Sequence, residues 1–190
     1  WSGVNFADGQ DGLYNAEKAK TEFAKAKEAL QGEGVQFPVH LDLPVDQSSK
    51  LNVAQAQSLK QTIEKSLGSE NVVIDINQMS SDDMNNVTSN AANAAAEDWD
   101  ISNGVGWGPD YQDPSTYLDI LKTTSSENTK IFNGYDDPNN AAAAQVGLKD
   151  YDALLDSAAS ETTDLNARYD RYAQAQAWLE DSSLVIPLTV

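Results

Sequence analysis

The chain has 190 residues, 40% of them hydrophobic, with 12 lysines and arginines against 30 aspartates and glutamates, a formal charge of −18 and no cysteine. That length allows one compact domain burying roughly 70% of its unfolded surface. The charge repels nucleic acid and anionic membrane surfaces, and the missing cysteines exclude a disulfide framework, a thiol nucleophile and a cysteine-ligated metal.

Residues 1–15 mix Gly, Asp and Asn with scattered aromatics (Trp1, Phe6, Tyr14) and read as an irregular opening segment. The run Asp8 to Gly12 lacks the acidic spacing of a calcium loop and is expected to be a turn. Asn15 is a fair N-cap for a helix over 16–31, with Ala19, Phe23, Ala26 and Leu30 on one stripe, Gly32 at its end, and Lys18, Lys20, Lys25 and Lys27 on a solvated face. Phe37 to Leu43 alternates and predicts a strand, with Pro38 near its start. Ala56, Leu59, Ile63 and Leu67 predict a helix over 49–67, closed by Gly68, and residues 71–77 predict a second strand. Ser80 or Ser81 with Asp82 and Asp83 caps a third helix, and residues 99–105 predict a third, shorter and more polar strand. Short connections between such elements favour parallel pairing with right-handed crossovers.

Gly104 to Leu118 holds three glycines, two prolines, a tryptophan, two tyrosines and three aspartate or glutamine side chains in fifteen positions, and such punctuation marks a shaped loop. It follows the third expected strand, and in open α/β sheets ligands bind beyond the carboxyl ends of the strands. Asp113-Pro114 suits a helix start, because Asp is a good N-cap and Pro suits the first turn. Residues 115–121 then predict a helix with Tyr117, Leu118 and Leu121 inward. Residues 122–146 form a long polar connection, a surface excursion or a lid. A helix over 148–159 follows, then another capped by Thr163 or Asp164 with Leu165, Tyr169, Tyr172, Ala173 and Ala177 on one face. Leu184 to Val190 reads as a buried strand. A chain that begins at Trp1 and stops within an apolar run is expected to be a processed or excised piece of a longer protein.

His40 has no second histidine to share a metal with and reads as a solvated strand residue. The pairs Asp82/Asp83 and Asp136/Asp137 are adjacent in sequence and therefore diverge or cap turns. No Gly-x-Ser-x-Gly, phosphate loop or cysteine-histidine couple occurs, so no enzyme is expected.

Gly106-Trp107-Gly108-Pro109-Asp110-Tyr111, followed by Asp113-Pro114 and Tyr117-Leu118, resembles the motif of the peptide-binding solute receptors of ABC importers, the extracytoplasmic oligopeptide- and dipeptide-binding proteins. Further landmarks are similar to the family's: Tyr14 to Ala19, Tyr151 to Leu155, Arg168-Tyr169, Trp178 to Asp181, and Val185 to Leu188. The resemblance implies a class II periplasmic-binding-protein-like fold, an α/β lobe whose mixed, mostly parallel sheet is flanked by helices. Residues 1–190 would be the C-terminal lobe alone, partnered by a missing N-terminal lobe, oligopeptides and an ABC permease, with no cofactor and no metal. It also implies a lipid-anchored protein of the cell surface, or a periplasmic one if the cell is Gram-negative.

Within the resemblance, Asp110 would receive the α-ammonium of the peptide. Gly106 and Gly108 would let the peptide backbone approach, Trp107 would wall the first side-chain pocket, and Tyr111 would complete the ligand-binding set, while Pro109 stiffens the turn and removes one donor. Relatives that bind nickel chelates or sugars generally do without an acid three residues after the tryptophan. Asp110 could instead only tie down the turn. Two readings from other classes stand beside this one: an acidic surface interaction or adhesion domain binding a host or matrix partner, and a fragment of a glycan-acting hydrolase.

Overall fold

The computed structural model describes residues 15–103, 108, 110–125 and 141–186. They form two compact units. One holds the described residues up to Ser81 together with Trp99–Asn103, and the other holds Asp82–Asp98 with the described residues after 103. The elements are α1 (Ala16–Gly32), β1 (Val39–Asp46), α2 (Lys50–Leu67), β2 (Val72–Met79), α3 (Ser81–Val87), a 3-10 turn (Ala94–Ala96), α4 (Ser115–Leu118) running into a 3-10 turn (Asp119–Leu121), α5 (Ala141–Gln145), α6 (Leu148–Ser160) and α7 (Leu165–Asp181).

In the first unit, β1 and β2 pair in parallel, from Val39 opposite Val72 to Asp46 opposite Met79. The alternation of the strands sends Leu41, Leu43 and Val45 to the same face as Val72, Ile74 and Ile76. There they join Ala56, Val53, Leu59, Ile63 and Leu67 of α2 and Phe23 of α1 in one apolar cluster. Ser49 caps α2 by accepting the Asn52 N–H, and Gly68 ends it at φ 88°, where a Cβ would collide with the Glu70 carboxylate. The opposite sheet face is polar: His40 Nδ1 lies 2.7 Å from Asp75 Oδ2, and Asn77 donates to Asp42 Oδ1.

Three expectations are corrected here. Residues 99–103 are not a strand. The Asp100 and Ile101 N–H groups both donate to the Asp42 carbonyl, while the Asp100 carboxylate accepts the Asp42 N–H at 2.8 Å. A side chain thus takes the donor that a neighbouring strand's carbonyl would use, and Pro44, two residues on, has no N–H to extend a ladder. Lys27 is not purely solvated, because its ammonium sits 4.9 Å above the Phe37 ring and donates to Asn71. The half-buried positions of α1 are accordingly Ala16, Phe23, Lys27 and Leu30, whereas Ala19 and Ala26 are exposed. The far edge of β2 is also occupied, since Lys60 donates to the Ile74 carbonyl and Glu64 accepts the Ile74 N–H.

The second unit is built on a helical hairpin. Leu148, Tyr151, Leu155 and Ala158 of α6 meet Tyr172, Ala175 and Leu179 of α7, with Leu118 of α4 and Ala143 of α5 closing the core. The turn between the helices is stitched by Glu161, whose Oε1 accepts the Thr163 N–H, the Thr163 hydroxyl and the Asp164 N–H. Those donors, the Asp164 N–H foremost, hold the Glu161 carboxyl down at about 2. Asp164 caps α7 through the Asn166 and Ala167 N–H groups.

The buried face of α7 differs from the expected one. Leu165, Tyr169, Ala173 and Ala177 are exposed, and Tyr172 alone of that set is buried. The stripe that packs is 168, 172, 175 and 179, an equally good helical spacing. Tyr117 also points outward, at 46% exposure, because Ser115, Thr116 and Leu118 take the inner positions of the short α4. Beyond Asp181 the chain turns at Ser183, with φ 59°, and residues 184–186 are not a strand, with Leu184 and Ile186 exposed. Residues 187–190, residues 1–14 and most of the expected long connection, 126–140, lie outside the described residues; at the end of that connection, residues 141–145 form α5.

Candidate functional site

The described part of the motif loop runs through Gly108 and residues 110–114 into α4. Trp107, Gly106 and Pro109 lie outside the described residues. Asp110 is exposed, and its carboxylate carries no hydrogen bond or ion pair among the described residues. Its backbone is held, however, because the Asp110 N–H donates to the buried Thr116 Oγ1 at 3.0 Å. Gly108 is exposed, and a Cβ placed there would meet nothing within 4 Å among the described residues. Tyr111 is 55% exposed, with its hydroxyl 3.1 Å from Ser115 Oγ, so its ring faces outward while its tip is tethered.

Asp113, by contrast, is fully engaged. Its Oδ1 accepts the Ser115 N–H at 3.0 Å, the bond expected of an acid at a helix start. Both oxygens also receive Arg168 of α7: Nη1 donates to Oδ2 at 2.7 Å and Nη2 to Oδ1 at 3.0 Å. Nη2 reaches on to the Tyr172 hydroxyl at 3.2 Å, and the guanidinium carbon lies 5.1 Å from the Tyr172 ring centre. Burial raises the Asp113 carboxyl, but the Ser115 N–H and hydroxyl and the Arg168 guanidinium together hold it below the usual carboxylate range. Such a fork-to-carboxylate pair is the strong, directional kind of ion pair.

The loop's exit is fastened as well. The Tyr151 hydroxyl donates to the Leu118 carbonyl at 2.7 Å, Asp152 accepts the Thr123 N–H and hydroxyl, and Lys122 pairs with Asp156. The result is an exposed carboxylate, unpaired among the described residues, on a loop clamped at its base, with the Tyr111 and Tyr117 rings of the same segment also exposed. Among the described residues no group of three His, Cys, Asp or Glu side chains is placed to hold a metal.

Sequence reasoning placed Asp113 at the helix start but missed Arg168 as its partner. One signal was available: only two of the chain's twelve cationic residues are arginines, 168 and 171, and arginine is the residue suited to a planar two-point hold on a carboxylate. Arg171 is similarly committed, to Glu161 and to the Ser157 carbonyl. Thr116 as the holder of the Asp110 backbone had no sequence signal.

No protein-family model matches the chain. It is 67% identical over 187 residues to the oligopeptide-binding protein AmiA of Streptococcus pneumoniae, covering 98% of this chain and 28% of that protein. It is 65% identical over 189 residues to the oligopeptide-binding protein SarA of Streptococcus gordonii, covering 100% of this chain and 28% of that one. Among solved structures, a peptide-binding protein of a peptide ABC transporter shares the fold at a TM-score of 0.65 and 22% identity, over 92% of this chain and 65% of its own. The chain therefore spans 28% of the length of these curated relatives.

Proposed function

We propose that this chain, a homologue over nearly its whole length of one segment of the streptococcal oligopeptide-binding proteins, is part of the C-terminal lobe of an extracytoplasmic peptide receptor. The receptor captures oligopeptides and hands them to an ABC permease, without catalysis, from a cell surface to which a lipid anchors it. The described residues include no helix long and apolar enough to cross a membrane.

The observation that carries this reading is the division of labour between the two acids of the loop. Asp113 is consumed by Ser115 and Arg168, while Asp110, three residues earlier, stands exposed and unpaired among the described residues. A lone carboxylate held by its backbone is placed to receive the α-ammonium of a peptide. In a closed, partly dry cleft that contact would be stronger than the roughly 1 kcal/mol of a pair in open water. Among the described residues nothing crowds a Cβ at Gly108, which suits close approach of a peptide main chain, and Trp107 and Gly106 are proposed to complete the wall with Tyr111. No observation favours the adhesion or hydrolase readings.

The test is a titration of the complete receptor with a mixed pool of short peptides, followed by tryptophan fluorescence. A saturable shift with free-amine peptides is expected. Absence of any shift, with free or N-acetylated peptides alike, would remove peptide capture from consideration.

A further inference from the structure

We infer that Arg168 is a positioning residue for peptide capture: its two-point hold on Asp113 sets the attitude of the loop that presents Asp110. The inference rests on the reading of Asp110 as the ammonium receiver. Asp113 needs only one oxygen and one N–H to start α4, and Oδ1 with the Ser115 N–H already supplies that. The second oxygen and the whole guanidinium fork are therefore surplus to capping. They connect the loop to a different element, α7, fifty-five positions away in sequence.

The linkage can be followed atom by atom. Tyr172, 2% exposed within the helical core, receives Nη2 of Arg168 and so fixes the far end of the guanidinium. Arg168 grips both Asp113 oxygens, Asp113 holds the Ser115 N–H, and the next residue, Thr116, holds the Asp110 N–H. Helix α4 is four residues long and cannot by itself fix the direction in which the preceding loop leaves it. With the clasp closed, the Asp110 backbone is tied through α4 to the core. With it open, Asp110 keeps its charge but loses its fixed place, and the contact most sensitive to place is the short ammonium–carboxylate bond. A lysine at 168 preserves the charge and forfeits the planar fork.

The test measures, on the complete receptor, the ratio of dissociation constants for one peptide in N-acetylated and free-amine form, by calorimetry, alongside thermal melting. For Arg168→Gln the ratio is expected to fall about tenfold, on the scale of one charge-assisted bond, with N-acetylated affinity little changed. Arg168→Lys should restore part of the ratio. Asp113→Asn should reproduce the fall, and Asp113→Asn combined with Arg168→Gln should be no worse than either alone. If Arg168→Gln does not fold, Tyr172→Phe, which removes only the hydroxyl holding Nη2, is expected to lower the ratio in the same direction. Equal loss of affinity for both peptide forms, or an unchanged ratio in the folded variants, would overturn the positioning role. A wild-type ratio near one would instead overturn the reading of Asp110, and this inference with it. A large wild-type ratio that Asp110→Asn abolishes and the Arg168 variants leave intact would overturn the positioning role alone.

Discussion

Tyr151→Phe isolates one bond at the base of the loop. Tyr151 is 0% exposed, its ring lies 5.5 Å from that of Trp178, and its hydroxyl spans 2.7 Å to the carbonyl of Leu118, itself 7% exposed. Burial, reinforced by Asp119 and Asp152, pushes the phenol well above its ordinary value, so it stays a neutral donor across the working pH range. Phenylalanine keeps the ring and its packing and removes only the donor, leaving the Leu118 carbonyl with only the bond it accepts as the cap of the 3-10 turn. Losing that bond costs about 0.5–1.5 kcal/mol, the net worth of an ordinary hydrogen bond. For a chain of this size each kcal/mol moves the melting midpoint by roughly 2–4 °C. Urea unfolding followed by far-UV circular dichroism should show the midpoint falling with the denaturant slope unchanged, since the surface exposed on unfolding is the same. A change below about 0.5 kcal/mol, the range of an ordinary surface substitution, would refute the claim that this bond fastens α4 to α6.

Other perturbations follow from single features. Gly147 opens α6 at φ 81°, and a Cβ there would find only ordinary contacts, 3.6 Å from Trp178 and 3.7 Å from Asp150. Gly147→Ala should therefore destabilise by about 1 kcal/mol through backbone strain alone, read from a urea midpoint. Glu161, held at about 2 in the folded chain against roughly 4.3 unfolded, favours the folded state fully above pH 4.3 and loses that contribution as pH falls toward 2. Glu161→Gln should flatten the acid limb of the stability–pH curve between about pH 4.3 and 2. An unchanged limb would mean that the α6–α7 turn does not depend on this carboxylate.

Helices were the most legible part of the sequence. Asn15, Ser49 and Asp164 each announced a helix start that the structure uses through a side-chain bond, and Ala56 to Leu67 announced a packed face. The parallel pairing of the first two strands was legible from their spacing about a helix. What failed was decided by side chains meeting across the fold. Asp100 reads as strand-compatible until its carboxylate takes the Asp42 N–H. On α7 two apolar stripes compete at equal spacing, and the one that wins is the one carrying Arg168 toward Asp113 and Ala175 against the core. Within the motif loop, Asp-Pro marked the start of α4, although Pro114 and not Asp113 takes the cap position, and the Asp113 ion pair could not be read because the partner lies fifty-five positions away.

The central claim, that Asp110 receives the peptide's α-ammonium, is tested most directly by Asp110→Asn in the complete receptor, with calorimetric titration of one peptide in free-amine and N-acetylated form. Binding of the free-amine peptide should weaken by about 1.5–3 kcal/mol, the worth of a hydrogen bond to a charged group, while the N-acetylated peptide binds as before. Equal losses for the two forms, or no loss for either, would contradict it.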